Sequence, residues 1–211
     1  MTHCHDMGVI EIGDCRRDTL SPKGRDSNIR HFPAGTVLNS DVLIYADVLL
    51  SGWAGMLGPH SATGNLIGVL LPGDRFAPVL DNLLCQAVAL TPVSVILEED
   101  NTNWPRELQH LIRQCVRTCH FSAAERVEDF FAETYERLSA VELADNGRFD
   151  LPLSQATLGN ILGLSAGHVN RSIKQLEAED RLHVAGRTVT LSQYDELEHS
   201  KIWSGERVIR I

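Results

Sequence analysis

The chain has 211 residues, of which 43% are hydrophobic and 22% are charged. This is an ordinary composition for a globular protein, and it excludes a disordered chain and a collagen-like or low-complexity fibre. No apolar run approaches the ~20 residues of a membrane span, and residues 1–13 lack the basic start and apolar stretch of a signal peptide. We therefore expect a cytoplasmic protein without a membrane partner, built as one large domain or two small ones.

Charge is distributed unequally along the chain. Residues 1–150 carry 12 Lys and Arg against 21 Asp and Glu, whereas residues 151–211 carry 7 of each kind. The net charge of −9 therefore arises in the first part of the chain. The last part can still meet a polyanion if its basic groups share one face.

The first hundred residues predict short strands. Apolar runs alternate there with turns that contain Gly and Pro, such as Pro72-Gly73, and the runs cover residues 42–50, 53–57, 66–71 and 87–97. Several short strands with turn signals at roughly ten-residue spacing are typical of a β-roll or barrel.

After Glu98 the apolar spacing changes to that of helices. Pro105 suits the first turn of a helix. The apolar residues that follow recur on one helical face: Leu108, Leu111, Ile112, Cys115, Val116 and Cys119. A second helical segment has a predicted buried face of its own, formed by Val127, Phe130, Phe131, Leu138 and Val141. The turn residues 145–147 then predict a boundary, which gives parts at 1–103, 104–144 and 145–211.

Residues 155–174, which read QATLGNILGLSAGHVNRSIK, follow the pattern of a helix-turn-helix. Ser154 and Ser165 are suited to cap the two helices. Gly163 lies where the turn requires a positive φ, and Gly159 is small where two helix backbones would cross. In such a motif the second helix offers its N-terminal residues to the major groove of DNA. An αα-hairpin that only packs is the alternative explanation of the same pattern.

The segment after this motif predicts a β-hairpin. Residues 182–184 and 188–191 flank the turn Ala185-Gly186-Arg187. The pattern is therefore that of a winged helix-turn-helix, with Arg187 and Thr188 near the tip, where DNA phosphates would lie. The predicted fold class is α+β.

This order of elements resembles the bacterial cyclic-AMP receptor protein / fumarate–nitrate reduction regulator (CRP/FNR) superfamily. Residues 149–177 carry the most specific similarity, and ERV at 125–127 is similar to the helix that leads to the DNA-binding domain. Four segments are similar to successive β-roll segments of the family: FPAGTVL at 32–38, LSGWA at 50–54, LLPGD at 70–74 and ALTPVSV at 89–95. The resemblance implies a homodimeric transcription factor with a jelly-roll-like sensing β-roll, similar to a cyclic-nucleotide-binding domain. Whether RNA polymerase is a partner stays open.

The resemblance also gives expectations for individual residues, and some family residues are missing. Nucleotide-binding members have a Gly-Glu and an Arg-Ser or Arg-Thr pair after the Leu-Pro-Gly-Asp turn, where this chain has Ala77-Pro78 and Leu83-Leu84. Arg75 is misplaced for a phosphate, so we expect no control by a cyclic nucleotide. Arg171 matches the family's base-reading arginine, whereas Gly167 stands where many members have a base-reading glutamate.

The predicted DNA contacts form two groups. His168, Asn170 and Arg171 are expected to read base edges of double-stranded DNA. The residues expected at phosphates are Ser154, Gln155, Ser165, Lys174, Arg187 and Thr188. In a dimer formed through the stripe from Leu108 to Cys119, two such helices would read a roughly palindromic operator.

The five cysteines do not form a disulfide framework. Cys4 and Cys15 are weak metal candidates, because their spacing departs from that of the family's iron–sulfur sensors. We expect Cys85, Cys115 and Cys119 to be small buried hydrophobic residues; Cys115 and Cys119 are the candidates for a redox pair. No cofactor is predicted, although the sequence leaves an iron–sulfur cluster and a haem open.

The sequence bears on two other classes of function. A cupin-like metal enzyme needs histidines that converge from strands, but His31 and His60 lie in apparent turns and no H-x-H followed by Glu occurs within the strands. The sequence therefore predicts that the protein is not an enzyme. A regulator that senses redox state or a metal cofactor, and a winged helix used for protein–protein interaction, remain alternatives.

Overall fold

The computed structural model describes residues 29–38, 47–58, 66–76, 86–97 and 104–192. Strands and helices are both present, so the predicted α+β class is confirmed. The chain divides into two units, of which the first comprises residues 1–70 and 74–104 and the second residues 71–73 and 105–211. No helix in the described ranges is long and apolar enough to cross a membrane.

The described part of the first unit contains two antiparallel sheets. Its described strands are β1 (Ile29–Phe32), β2 (Val37–Leu38), β3 (Asp47–Ser51), β4 (Ala54–Leu57), β5 (Leu66–Leu70), β6 (Gln86–Ala89) and β7 (Val93–Leu97). One sheet has the order β1-β7-β3 and the other the order β2-β6-β4-β5. This sheet-rich unit is consistent with the expected fold similar to a cyclic-nucleotide-binding domain.

The core of this unit is formed by apolar residues from strands of both sheets. Its fully buried members are Leu38, Leu49, Ala54, Leu70, Phe76, Ala87, Ala89, Val93 and Val95. Alternation along β7 shows why, because Val93 and Val95 are buried while Ser94 between them is not. His31 lies in β1 opposite Ser94, and the expectation that it lies in a turn is wrong. Residues 29–32 pair as a strand, although the Pro-Ala-Gly turn signal follows directly after them.

The second unit begins with two helices, α1 (Trp104–His120) and α2 (Ala123–Ser139). Pro105 lies in the first turn of α1, as expected. Between the helices, Ser122 caps α2 in a capping box: its hydroxyl accepts the N–H of Glu125, whose carboxylate accepts the N–H of Ser122 at 2.9 Å. These local bonds fix where α2 begins.

A winged helix-turn-helix completes the second unit. It contains β8 (Arg148–Asp150), α3 (Gln155–Leu162), α4 (Ala166–Ala178), β9 (Leu182–Ala185) and β10 (Thr188–Leu191). The three strands form one antiparallel sheet in the order β8-β10-β9. The hairpin was predicted, whereas β8 was not, because three residues are too few to show an alternating pattern.

The buried face of α2 is largely as predicted. Val127, Phe130, Phe131 and Leu138 are buried. Val141 is exposed, and its assignment to this face is wrong because α2 ends at Ser139 and the chain turns away.

Candidate nucleic-acid interface

The helix-turn-helix is built by local hydrogen bonds that the sequence encodes. The hydroxyl of Ser154 accepts the N–H of Thr157 at 3.0 Å and thereby caps α3. The helix ends at Gly163, which has a φ of 65°, a conformation that glycine adopts without strain. Both features were predicted, and together they fix where α4 can begin.

Gly159 lets the turn approach α3 closely. A Cβ at this position would lie 2.5 Å from the carbonyl oxygen of Leu164, which is far inside a normal contact distance. Gly159 also accepts the N–H of Leu164 through its own carbonyl at 2.8 Å. The predicted close approach is therefore present, and its partners are the carbonyl of Leu164 in the turn and, at 3.4 Å, the backbone nitrogen of Ala166 at the start of α4.

The N-terminal end of α4 presents the predicted reading residues. Ser165 caps the helix by accepting the N–H of His168 at 3.2 Å, and its hydroxyl also lies 2.8 Å from Nδ1 of the His168 ring. His168, Arg171 and Lys174 are exposed, while Val169, Ile173 and Leu176 are buried. The helix thus separates an apolar face from a face that is free to meet a partner.

Arg171 reaches back along α4 toward the bare backbone of Gly167. A Cβ on Gly167 would lie 3.8 Å from Nη1 of Arg171. No ion pair of Arg171 is found in the described ranges, and the nearby acid Glu177 instead accepts the N–H of Val184 at 3.0 Å. The guanidinium is therefore available for contacts outside the chain.

Asn170 is partly engaged within the protein. Its amide nitrogen donates to Oε1 of Gln155 at 3.3 Å, which links α4 to the first residue of α3. The amide oxygen of Asn170 is left to accept from a ligand, and the amide nitrogen of Gln155 is left to donate. A bidentate contact of Asn170 with adenine needs this oxygen and one amide N–H, and the amide nitrogen has a second N–H for the bond to Gln155.

The wing tip carries a weak internal ion pair. Nη2 of Arg187 lies 3.5 Å from Oδ2 of Asp150, and both side chains are about two-thirds exposed. The backbone carbonyl of Arg187 accepts the N–H of Leu151 at 2.7 Å. This bond holds the wing beside the segment that leads to Ser154. The predicted phosphate contacts on the wing and at the start of α3 are therefore held close together. Thr188 is half-buried at the start of β10.

Two side chains outside the predicted motif hold the end of α3. The amide of Gln114 on α1 donates to the carbonyl of Ile161 at 2.7 Å, and Nη1 of Arg126 on α2 donates to the carbonyl of Leu162 at 3.1 Å. The last carbonyls of a helix lack partners within it, so these bonds satisfy groups that would otherwise need water. Sequence reasoning missed both residues, because a polar residue on a helix carries no signal of a partner 36 or 47 positions away.

The helices α1 and α2 pack through charged residues. Arg117 is buried and pairs with Asp129 and Glu133, and Arg113 pairs with Asp129 and Glu136. Burial alone would raise the pKa of Glu133, but a hydrogen bond with His110 and the charges of nearby arginines, Arg117 first among them, lower it to about 2. The pKa of Arg113 is raised: burial opposes this, but the hydrogen bonds to Asp129 and its charge prevail.

This charged packing turns the apolar stripe of α1 away from α2. Cys115, Cys119 and Ile112 are exposed, and Leu111 and Val116 are half-buried; at Leu108 only the helical backbone is described. The expectation that Cys115 and Cys119 are buried is wrong for the single chain, because α1 buries its arginines against the acidic residues of α2 instead.

Several predicted residues lie outside the described ranges. They are Cys4, Cys15, His60, Ala77, Pro78, Leu83, Leu84 and Cys85. Arg75 is described, and its backbone forms a bridge with Val48. Within the described ranges, no group of three or more His, Cys, Asp or Glu residues is placed to hold a metal.

The second unit contains a winged helix-turn-helix, and comparisons with known proteins show which winged helix-turn-helix proteins it is similar to. Residues 125–200 match the family model of the Crp-like helix-turn-helix domain. No curated protein matches the chain significantly. Among solved structures, FixK2 from Bradyrhizobium japonicum is similar with a TM-score of 0.57 and 22% identity, over 81% of this chain and 96% of that one.

Two further structures have similar folds. A double mutant of CooA from Carboxydothermus hydrogenoformans has a TM-score of 0.53 and 14% identity, over 81% of this chain and 85% of that one. A protein from Eubacterium rectale described as a transcriptional regulator of the crp/fnr family has a TM-score of 0.53 and 15% identity, over 81% and 87%. Residues 125–200 therefore carry the Crp-like helix-turn-helix domain that the predicted resemblance to the CRP/FNR superfamily implies, and the solved structures support the predicted fold.

Proposed function

We propose that this protein is a homodimeric, cytoplasmic transcription regulator that reads a roughly palindromic operator and is not controlled by a cyclic nucleotide. Its output is DNA binding through α4, and no catalytic step is assigned to it. The observation that carries the proposal is the exposed N-terminal face of α4. This face carries Arg171, His168 and Lys174, and residues 166–174 contain neither Asp nor Glu. No carboxylate from this stretch would therefore repel a polyanion.

The phosphate contacts follow from the same surface. Ser154 and Gln155 begin α3, and the wing tip with Arg187 and Thr188 is bonded to the segment just before them. Hydroxyls, amides and arginines of this kind position a protein on DNA without reading its sequence. We assign Ser165, through its backbone N–H, and Lys174 to the same role, and the reading of bases to His168, Asn170 and Arg171.

The homodimer is supported by the apolar stripe of α1. Ile112 is 47% exposed, and Cys115 and Cys119 lie on the same stripe of the helix. The opposite side of α1 packs against α2. An exposed apolar stripe on a helix favours burial against a second copy. Two copies related by a two-fold axis would present two α4 helices to half-sites about one turn of DNA apart.

The proposed independence of cyclic nucleotides rests on the sequence after the Leu-Pro-Gly-Asp turn. Residues 77–85 offer no cation to a cyclic phosphate. We expect cyclic AMP to leave the melting temperature of the protein unchanged, while the selected operator duplex raises it, since a ligand stabilises only the state that binds it. A rise with cyclic AMP contradicts this part of the proposal.

The experiment that tests the function is a gel shift with full-length protein. Duplexes are selected from a randomised library and then compared with random duplexes over a range of salt concentrations. We expect preferential binding of the selected duplexes by two protomers, and affinities that fall steeply with salt because phosphate contacts release counterions. Equal, weak affinity for selected and random DNA would overturn the proposal in favour of a protein-binding winged helix.

A further inference from the structure

Ser165 does more than cap α4. Its Oγ accepts the backbone N–H of His168 at 3.2 Å and lies 2.8 Å from ring atom Nδ1 of the same residue. The hydroxyl has a single proton, and the bond from the backbone N–H occupies one of its lone pairs. Its proton can be donated to the ring nitrogen, which then accepts the bond; in the other tautomer Nδ1–H donates to the second lone pair of the hydroxyl.

This bond decides what the other ring nitrogen offers. A neutral imidazole that accepts a hydrogen bond at Nδ1 carries its proton on Nε2. The ring of His168 is exposed, so with Ser165 as the donor to Nδ1 the Nε2–H is available to a ligand. The opposite tautomer would offer an acceptor at Nε2 instead.

The neighbours of His168 are also donors. Arg171 lies beside the bare Gly167 and has five N–H groups and no acceptor. Asn170 contributes one donor N–H as well as an acceptor oxygen, because only one of its two amide N–H groups is used toward Gln155. The front of α4 is therefore rich in donors around His168 and Arg171.

We infer that Ser165 is a specificity-determining residue, which fixes His168 as a hydrogen-bond donor so that each operator half-site presents guanine to it. Guanine offers two adjacent acceptors, N7 and O6, in the major groove, whereas adenine offers N7 beside the donor N6. The inference rests on the proposed DNA-binding function and adds the identity of one base to it.

The test begins by locating the base that His168 contacts. Operator duplexes are selected with full-length wild type, and the affinity of His168→Ala for each singly substituted duplex identifies the position at which discrimination is lost. At this position we expect wild type to prefer guanine over adenine by about tenfold.

Ser165 is then varied with the same two duplexes. Ser165→Gly keeps the helix start close to its original stability but removes the hydroxyl, so His168 can adopt either tautomer, and we expect the preference for guanine to fall to about twofold or less. Ser165→Thr restores a hydroxyl and with it the preference. Because each preference is a ratio of two affinities of one protein, a partial loss of folded protein cancels.

A matched control is provided by the other cap. Ser154→Gly removes the corresponding hydroxyl from α3, and we expect weaker binding of both duplexes with an unchanged preference. A wild-type preference for adenine or cytosine at the located position overturns the inference, as does a full guanine preference in Ser165→Gly, or His168→Ala that loses discrimination nowhere. A wild type that selects no sequence overturns the proposed function itself, and is distinguished from these outcomes by the first selection.

Discussion

Arg171 and Lys174 lie one turn apart on the exposed face of α4, yet their replacement should have different effects. Arg171 can grip O6 and N7 of guanine with two bonds, so Arg171→Ala should cost about 1–3 kcal/mol on the selected duplex and relax discrimination at one symmetric base pair. Lys174 is assigned to a phosphate, so Lys174→Ala should weaken all duplexes alike and lower the salt slope by about 1. Gel shifts with selected and random DNA measure both effects.

The two variants serve as controls for each other. If Arg171→Ala leaves the ratio of specific to random affinity unchanged, Arg171 does not read a base. If Lys174→Ala changes that ratio, its assignment to a phosphate is wrong.

Gly159 gives a test of the turn itself. Gly159→Ala places a methyl group where the carbonyl of Leu164 is 2.5 Å away, and relief of this clash must move backbone. We expect the free energy of unfolding in urea to fall by about 1–3 kcal/mol. Gly167→Ala is the matched control, because the nearest atom to its added methyl group is 3.8 Å away, and we expect no loss of stability. Equal stability of both variants would contradict the tight turn.

At the scale of elements, the charged packing of α1 against α2 predicts a pH dependence of stability. The pKa of Glu133 lies at about 2 in the folded protein against 4.5 ordinarily. A lowered pKa contributes stability above the ordinary pKa that is lost as the carboxylate is protonated. The free energy of unfolding should therefore fall by up to about 3 kcal/mol between pH 4.5 and 2 on account of this group.

Glu133→Gln isolates this contribution, since all other acidic groups are common to the two proteins. Urea unfolding at several pH values should show a shallower dependence in the variant over this range. Identical slopes would mean that Glu133 is not held ionised by its arginine partners.

The stripe of α1 predicts a dimer seam. Ile112→Asp places a charge in an interface that excludes water, and we expect the dimer to dissociate at micromolar concentration in light scattering. Val141→Asp is the control, because Val141 is also exposed but lies beyond the end of α2. A wild type that is monomeric, or an Ile112→Asp variant that stays dimeric, would contradict the seam.

The cysteines of α1 predict a result of their own. Both thiols lie on the stripe that the proposed dimer covers, so we expect the Cys115→Ser/Cys119→Ser double variant to bind DNA like wild type in oxidant and in reductant. An oxidant that weakens wild type but spares the variant would instead favour the redox-sensing alternative.

These elements show what the sequence reveals and what it conceals. The caps at Ser154 and Ser165 and the turn at Gly163 depend on residues within a few positions of one another, and local patterns were sufficient to predict them. The burial of Arg117 depends on Asp129 and Glu133, which belong to another helix. The apolar stripe of α1 predicted that Cys115 and Cys119 are buried, but within the chain the charged face packs against α2 and leaves them exposed. Only the structure shows that the arginines of α1 and the carboxylates of α2 neutralise each other.

At the scale of the whole molecule, the division of charge agrees with a division of roles. The excess of acidic residues falls in residues 1–150, and the part that carries the helix-turn-helix is neutral. In the proposed complex the acidic part would be repelled by DNA while α4 and the wing approach it. The charge pattern thus favours one orientation of the protein on its operator.

The bonds of Gln114 and Arg126 to the last carbonyls of α3 limit where this chain can be recombined with a relative. An exchange at residue 144, the boundary that the turn suggests, would separate the reading helices from both donors. An exchange before Trp104 would transfer α1, α2 and the winged helix together. The Crp-like match begins at residue 125 and so includes Arg126 but not Gln114. A hybrid joined at the start of this match would lack the hydrogen-bond donor that Gln114 provides, and Gln114 would have to be restored.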